Sequence, residues 1–295
     1  YEIARDPVGY ARDWKAHNES KIIGYFCSYA PEEIIWAAGA LPYRILGGGQ
    51  TIVHADAHLQ AYACSLVRGA LDDALAGRLD FLDGTVFPHT CDSIQRLSDI
   101  WRLNTGFDVH LDLVLPVKLN TRSAEQYMHA VMKKFRIDLE AGLGVNIAER
   151  DLKKAIDTFN QIRSDLRRLY AFRSQRPAPI SSRDLHAIVK ASMVMDRDEL
   201  RGRLAEICEG LDAHGAESGI EKIPLVLTGG VCSMPDIYQH IEDAGGTVVG
   251  DDFCTGSRYL EGTMDVQDDP LHAVAQRYYS GINYPDRQRD CFGSG

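Results

Sequence analysis

The chain is short of most of the features by which proteins announce themselves. It has no run of 18 apolar residues, so it offers no candidate transmembrane helix. Its opening, YEIARDPVGYARDWKAHNES, is charged and lacks the apolar core of a signal peptide. Basic residues are in deficit, 32 Lys and Arg against 42 Asp and Glu, which leaves a net charge of -10. Nucleic-acid binders carry a basic surface, so nucleic acid is not an expected partner. There is no GxGxxG and no GxxxxGK, so neither the dinucleotide fingerprint nor a P-loop is present. There is no CxxC, the short pairing typical of a structural zinc site. Cysteines number seven, an odd count without the clustering of a secreted disulfide scaffold. Reduced thiols in a cytoplasmic protein, away from any membrane, are the expectation. The first residue is not Met, which implies that residues precede it.

What is there begins with an ordinary globular balance over 295 residues, 45% hydrophobic and 25% charged, enough for one large or two ordinary domains. Residues 6–17 read as a helix. Short apolar runs at Ile22–Phe26, Pro42–Leu46, Phe81–Pro88 and Val109–Pro116 read as strands. Helical patterns separate them: one opened by Pro31 with Glu32 and Glu33 in its first turn, one over His58–Gly77, and one over Asp92–Leu103. Alternating strands and helices predict an α/β protein with a Rossmann-like parallel sheet. From Ser123 to about Leu211 no strand pattern appears, only helical stretches. The α/β rhythm returns at Ile223–Thr228, Met234–Ala244, Gly246–Gly250 and Pro270–Ser280. The expected organisation is a first α/β domain over 1–120, a helical segment over 121–215, and a second, partial α/β domain over 216–295.

Four cysteines sit just past apolar runs. Cys27 follows KIIGYF, Cys91 follows GTVFPHT, Cys232 follows PLVLTGGV and Cys254 follows TVVGDDF. In an open α/β sheet this is the carboxyl edge of the strands, where ligands collect. Thiolates gathered at one crevice are how a soluble protein holds iron–sulfur or zinc. A helix opening just after Cys27, and another just after Cys91, presents a positive end that favours thiolate. The bland reading is that each is a small buried hydrophobe. Cys64 and Cys208 fall inside helical patterns and read as structural. Cys291 lies in a terminal stretch that carries no pattern. His89, in FPHTCDS, has three readings: proton donor, metal ligand or a partner to one. A Cys91–His89 nucleophile pair is a rival, weakened by their separation of only two residues. Arg96 and Arg102 suit either an anionic substrate or water.

The segments GYFCSYAPEEIIWAAGALPYRI, LDGTVFPHTCDSIQRLSDIW and GGTVVGDDFCTGSRY resemble those of 2-hydroxyacyl-CoA dehydratase subunits and ATP-dependent benzoyl-CoA reductase subunits. The likeness spans nearly the whole chain. Within the family, SLVRGALDDALAGRLDFLDGTVFPHTCDSIQRLSDIWRLNTGF is most similar to the smaller cluster-carrying subunits, gamma-type, of class I reductases. The resemblance implies an iron–sulfur cluster, [4Fe–4S] or a linked double cubane. It implies Cys27 and Cys91 as ligands, Cys254 as the third and Cys232 as the reserve. Family chains run longer and end in a further βα portion with another cysteine, before which this chain stops. Implied partners are a related cluster-carrying subunit, an ATP-hydrolysing [4Fe–4S] activator and a CoA thioester. The implied reaction is reduction of the ring of benzoyl-CoA to a cyclic dienoyl-CoA, with His89 as proton donor. The alternatives are dehydration of a 2-hydroxyacyl-CoA through a ketyl radical, or a non-catalytic electron-relay role.

Overall fold

The structure, a computed structural model, describes residues 1–47, 51–118, 120–175, 177–214, 222–232, 237–267 and 269–280. In chain order the elements are α1 (Glu2–Arg5), α2 (Pro7–His17), β1 (Ile22–Tyr25), α3 (Glu32–Ala37), β2 (Leu41–Arg44), α4 (Ser65–Leu75), β3 (Gly84–Pro88), α5 (Asp92–Asn104) and β4 (Val109–Leu113). They continue with α6 (Arg122–Leu143), α7 (Glu149–Arg173), α8 (Ser182–Ser192), α9 (Arg197–His214), β5 (Ile223–Thr228), α10 (Ile237–Asp243), β6 (Gly246–Asp252) and α11 (Pro270–Ser280). The α/β class is as expected. The expected helix over Met234–Ala244 is seen from Ile237; its first residues, Gly48, Gly49 and Cys291 lie outside the described residues.

Two compact units divide the chain. One takes Tyr1–Asn18 and Asp157–Glu261, the other Glu19–Ile156 and the stretch from Gly262 onward. The three consecutive segments expected from sequence are thus apportioned differently: 1–18 leave the first, and α7 is shared between units.

The unit built on Glu19–Ile156 holds a four-stranded parallel sheet in the order β2-β1-β3-β4. From β1 the chain moves outward to β2, then returns to β3 and moves outward the other way to β4. The reversal between β1 and β3 is the switch point at which such sheets open a crevice beyond their carboxyl ends. β1, β2 and β3 are buried along their whole length, as strands covered on both faces must be. Phe26, Phe87 and Trp101 form the aromatic centre, with Phe26 stacked on Phe87 at 4.9 Å and Trp101 edge-on to both at 5.6 Å. Edge strand β4 alternates instead: Val109, Leu111 and Leu113 are buried while His110 and Asp112 face the other way.

The helix expected over His58–Gly77 is shorter. It starts at Ser65, preceded by a single 3-10 turn at Ala55–Ala57 and a turn at Gln60–Ala63. The cause is tertiary. Asp72, on α4, accepts the backbone N–H groups of Val53 (2.8 Å), His54 (2.6 Å) and Ala55 (3.1 Å), which holds that stretch off the helix. Cys64 therefore caps α4 and is exposed, not interior. Cys208 is buried within α9.

The unit built on Asp157–Glu261 carries helices α8 and α9 and a two-stranded parallel sheet, β5 beside β6, with Ile223 opposite Gly246 and Thr228 opposite Asp252. α8 and α10 pack on β6. Strand β5 leaves Ile223 and Val226 68% and 69% exposed.

Candidate functional site at the strand ends

In the first of these sheets Phe26 extends the ladder by donating to Val86 O (3.2 Å), and the chain then turns at Cys27. Cys27 has φ 61°, the left-handed region that a side chain disfavours, and it is the one described non-glycine residue with positive φ. Residues 28–30 are buried, and Tyr278 clamps their end by donating from its hydroxyl to Ala30 O (2.9 Å) and Glu33 Oε2 (3.0 Å). Just past the end of neighbouring strand β3, Thr90 Oγ1 donates to Cys27 Sγ at 3.4 Å. Cys91 follows at the N-cap of α5, exposed, with extended backbone. Cys27 and Cys91 thus flank the switch point between β1 and β3.

Glu32 and Glu33 stand in the first turn of α3, as read from the sequence, and both are buried. Glu33 has the Arg277 guanidinium 3.8 Å from Oε1 as well as the Tyr278 hydroxyl. Arg96 and Arg102 are exposed, and Arg102 pairs with Asp99 at 2.9 Å.

His89 leaves β3 with its amide on Leu113 O (2.9 Å) and its Nε2 on Asp112 Oδ1 (2.9 Å). Asp112 also accepts from Ser98 Oγ (2.5 Å), and Ser98 meets His110 Nε2 at 2.9 Å. His110 stacks on Phe87 (4.9 Å) and lies 3.7 Å from Asp112 Oδ2, outside direct bonding reach. Burial pushes the Asp112 carboxyl up, but the polar groups of His110, Ser98 and His89 outweigh it and hold it well below the usual range. Sequence reasoning missed Asp112, Ser98 and His110. The available signal was the alternation of VHLDL, which sets two titratable residues on one face of a strand.

In the other unit Cys232 and Cys254 lie beyond the paired ends of β5 and β6. Cys254 N donates to Gly230 O (2.8 Å), and Cys232 N donates to Thr255 Oγ1 (3.0 Å), so the two loops clasp each other. Asp251 orders the DDFCTGSRY loop. It accepts from Tyr170 OH (2.6 Å) and Ser257 N (2.8 Å), while Ser257 Oγ donates to its carbonyl (2.6 Å). Arg258 is buried, grips Asp252 with two nitrogens (2.5 and 2.7 Å), and turns a third toward Cys254 Sγ at 3.6 Å. The bond to Asp252 raises the guanidinium further and the bond from Arg258 lowers the carboxylate, so the pair is charged throughout the working range. Burial lowers Lys190 on α8, partly offset by the thiol of Cys232.

Each sheet therefore brings two of the expected thiols to its carboxyl edge. Soft thiols are the donor chemistry that iron–sulfur clusters and zinc demand, so the residues fit such a group in kind. Among the described residues no three His, Cys, Asp or Glu side chains are grouped to hold a metal. No described helix is long and apolar enough to cross a membrane.

A switch-point crevice edged with thiols, in a chain with these motifs, defines a class. Residues 27–290 match the family model for the 2-hydroxyglutaryl-CoA dehydratase D-component, and the chain belongs to that family. It is 29% identical to a benzoyl-CoA reductase subunit of Thauera aromatica over 290 residues, 95% of this chain and 75% of the relative. It is 26% identical to the beta subunit of lactoyl-CoA dehydratase of Anaerotignum propionicum, covering 94% of this chain and 74% of the relative. It is 24% identical to the beta subunit of (R)-2-hydroxyglutaryl-CoA dehydratase of Acidaminococcus fermentans, covering 94% and 73%.

Proposed function

We propose that this chain is the iron–sulfur subunit of an ATP-dependent benzoyl-CoA reductase. The observation that supports this most is the coincidence of Cys27 and Cys91 at the switch point with a likeness to the Thauera aromatica benzoyl-CoA reductase subunit that spans 95% of the chain. In this reading Cys27 and Cys91 ligate the cluster, [4Fe–4S] or a linked double cubane. Cys254 and Cys232 are the further candidate ligands. Bound there, the cluster supplies single electrons at a potential set by its ligands, by hydrogen bonds to sulfur and by exposure.

The net reaction adds two electrons and two protons to the aromatic ring of benzoyl-CoA, giving a cyclic dienoyl-CoA. The electrons would come from a reduced, ATP-hydrolysing [4Fe–4S] activator, and a related cluster-carrying subunit would complete the complex. His89, as imidazolium, delivers one of the two protons from a ring nitrogen to a ring carbon of the substrate, solvent supplies the other, and the neutral imidazole left behind takes a proton back from solvent. Its place beside the thiol edge, anchored on Asp112, suits that task.

The experiment is anaerobic purification of the complex with Cys91→Ser or Cys27→Ser. Iron and sulfide content and the EPR signal should fall, and turnover of benzoyl-CoA with reduced activator and ATP should stop. Full iron and an unchanged signal in Cys91→Ser refute the ligand assignment. His89→Ala should keep the iron and slow turnover; lost iron makes His89 a ligand instead.

A second reading is a subunit of a 2-hydroxyacyl-CoA dehydratase. It draws on the family description and on the lactoyl-CoA dehydratase relative. Products separate the two: a cyclic diene from benzoyl-CoA, or an enoyl-CoA and water from lactoyl-CoA.

A further inference from the structure

We infer that Asp112 is a positioning residue that fixes which nitrogen of His89 exchanges its proton, with Ser98 and His110 holding Asp112 in place. The inference deepens the function proposed above and rests on His89 as the proton donor in it.

The hydrogen inventory gives the network a direction. Asp112 is ionised, its carboxyl held low by the groups around it, so both its oxygens only accept. The Ser98 hydroxyl has one hydrogen and spends it on Asp112 Oδ1 at 2.5 Å. Toward His110 Nε2, at 2.9 Å, Ser98 can then only accept, so His110 carries its hydrogen on Nε2. His89 Nε2, 2.9 Å from the same Oδ1, must likewise carry a hydrogen. The order is His110 to Ser98 to Asp112, with His89 donating to Asp112 from the other side. Neutral His89 is thereby the Nε2–H tautomer. Once the ring is protonated to imidazolium, the proton it passes to a ligand leaves from Nδ1 and returns His89 to that neutral tautomer.

The parts of the network are placed by different elements. His89 leaves β3, Ser98 is on α5, and His110 and Asp112 share one face of β4. His110 is held flat against Phe87, and Ser98 is buried. A carboxylate holding a histidine by one nitrogen, so that the other meets the reaction, is how enzymes set imidazole tautomer and orientation. Asp112 touches no substrate in this scheme. It acts through His89, and deleting it should cost rate without cost in binding.

The test uses the full chain in its reconstituted complex, with benzoyl-CoA or lactoyl-CoA, whichever it turns over. Asp112→Ala should lower kcat about 10- to 100-fold, the usual effect of removing such an orienting group, and leave KM within about twofold. Asp112→Glu should recover part of the rate. His89→Ala combined with Asp112→Ala should be no slower than His89→Ala alone, because the carboxylate acts only through the imidazole. Separately, 15N spectra of histidine-labelled, metal-free chain should show His89 protonated at Nε2, and Asp112→Ala should lose that preference. Additive losses in the double variant, or an unchanged kcat in Asp112→Ala while His89→Ala is slow, overturn the inference. So does a neutral wild-type His89 that carries its hydrogen on Nδ1 and none on Nε2. If His89→Ala turns over at the wild-type rate, the proton-donor role falls and takes this positioning role with it, even where the Nε2–H tautomer is observed.

Discussion

Gly256 lies inside the loop that carries Cys254, and its replacement by alanine is a sharp test of how that loop is held. A Cβ at Gly256 would fall 2.0 Å from Asp251 Oδ1 and 2.7 Å from its Cγ, far inside any tolerated contact. The obstructing atoms belong to a side chain, which could swing away if it were loose. It is not: Tyr170 OH and Ser257 N hold the carboxylate at 2.6 and 2.8 Å. Tyr170 is largely enclosed, and burial together with the charge of Asp251 pushes its phenol upward. Moving Asp251 therefore strands one buried hydroxyl and one loop amide. At about 1–3 kcal/mol for each polar group left without a partner, Gly256→Ala should cost about 2–6 kcal/mol. The assay is thermal and urea denaturation, with alkylation of Cys254 by iodoacetamide read by mass spectrometry. Cys254 is only 7% exposed and should react slowly in the wild type and faster in the variant. Gly202→Ala, on the exposed face of α9 with no atom within 4 Å of the new methyl, is the control and should gain about 0.5–1 kcal/mol. A Gly256→Ala chain with unchanged stability and unchanged Cys254 protection would refute the claim that Asp251 pins the loop.

Three further outcomes follow from particular groups. His186 stacks on Tyr238 at 4.3 Å, and its burial, with the nearby Lys190 charge, lowers its pKa from 6.5 to about 4. The unfolded chain then binds more protons between those values, so stability is full above pH 6.5 and falls as pH drops toward 4, by about 3 kcal/mol; His186→Phe melts that retain the same slope would rule this group out as its source. Asp72→Ala leaves the buried Ala55 amide and the Val53 and His54 amides without their acceptor, while Arg78 keeps Asp73, and should cost about 2–4 kcal/mol in urea denaturation; a loss below about 1 kcal/mol would mean that water replaces the carboxylate. Cys27→Gly relieves a left-handed backbone that costs a side chain about 1–2 kcal/mol, so the variant should be as stable as the wild type or more so while losing the thiol and, under the proposed function, the iron it would hold; a large loss of stability in the metal-free chain would show that the thiol itself holds the turn.

Much of the sheet was legible because its strands are short apolar runs, and a run buried on both faces has few other readings. The thiols were legible for the same reason, since Cys27 and Cys91 follow those runs directly. Errors came where a distant partner decides. The apolar rhythm of α4 continues backward through Tyr62, yet Tyr62 is 89% exposed, because Asp72 gathers the amides at 53–55 and the chain turns instead. Glu33 is the helix-start charge that it reads as, but nothing local hints at Arg277 and Tyr278, its partners from far along the chain. The partner of His89 was hidden likewise. Asp112 reaches it only because β4 lies beside β3, with Pro88 opposite Leu113. Alternation in VHLDL placed Asp112 on a polar face, but no spacing rule says what that face meets.

The departures from local rules gather at the strand ends. Cys27 occupies a conformation that glycine would enter without strain. Glu33 and Arg258 are charges taken out of water beside loops that carry Cys27 and Cys254, and Asp112 binds two donors at the exit of β3. Interior strands β1 and β3 are in register, fully covered and mostly apolar, with the buried hydroxyl of Thr85 on β3 as an exception. A chain shaped for stability alone would place glycine at position 27 and apolar residues at 33 and 258, because each conflict costs about 1 kcal/mol or more. Proteins tolerate such conflicts where the geometry itself is needed. The thiols and the His89 network coincide with them because apolar packing can cover a strand but cannot aim a sulfur or an imidazole. Charges with fixed partners can, and Glu33, Arg258 and Asp112 are such charges beside the candidate thiols and His89.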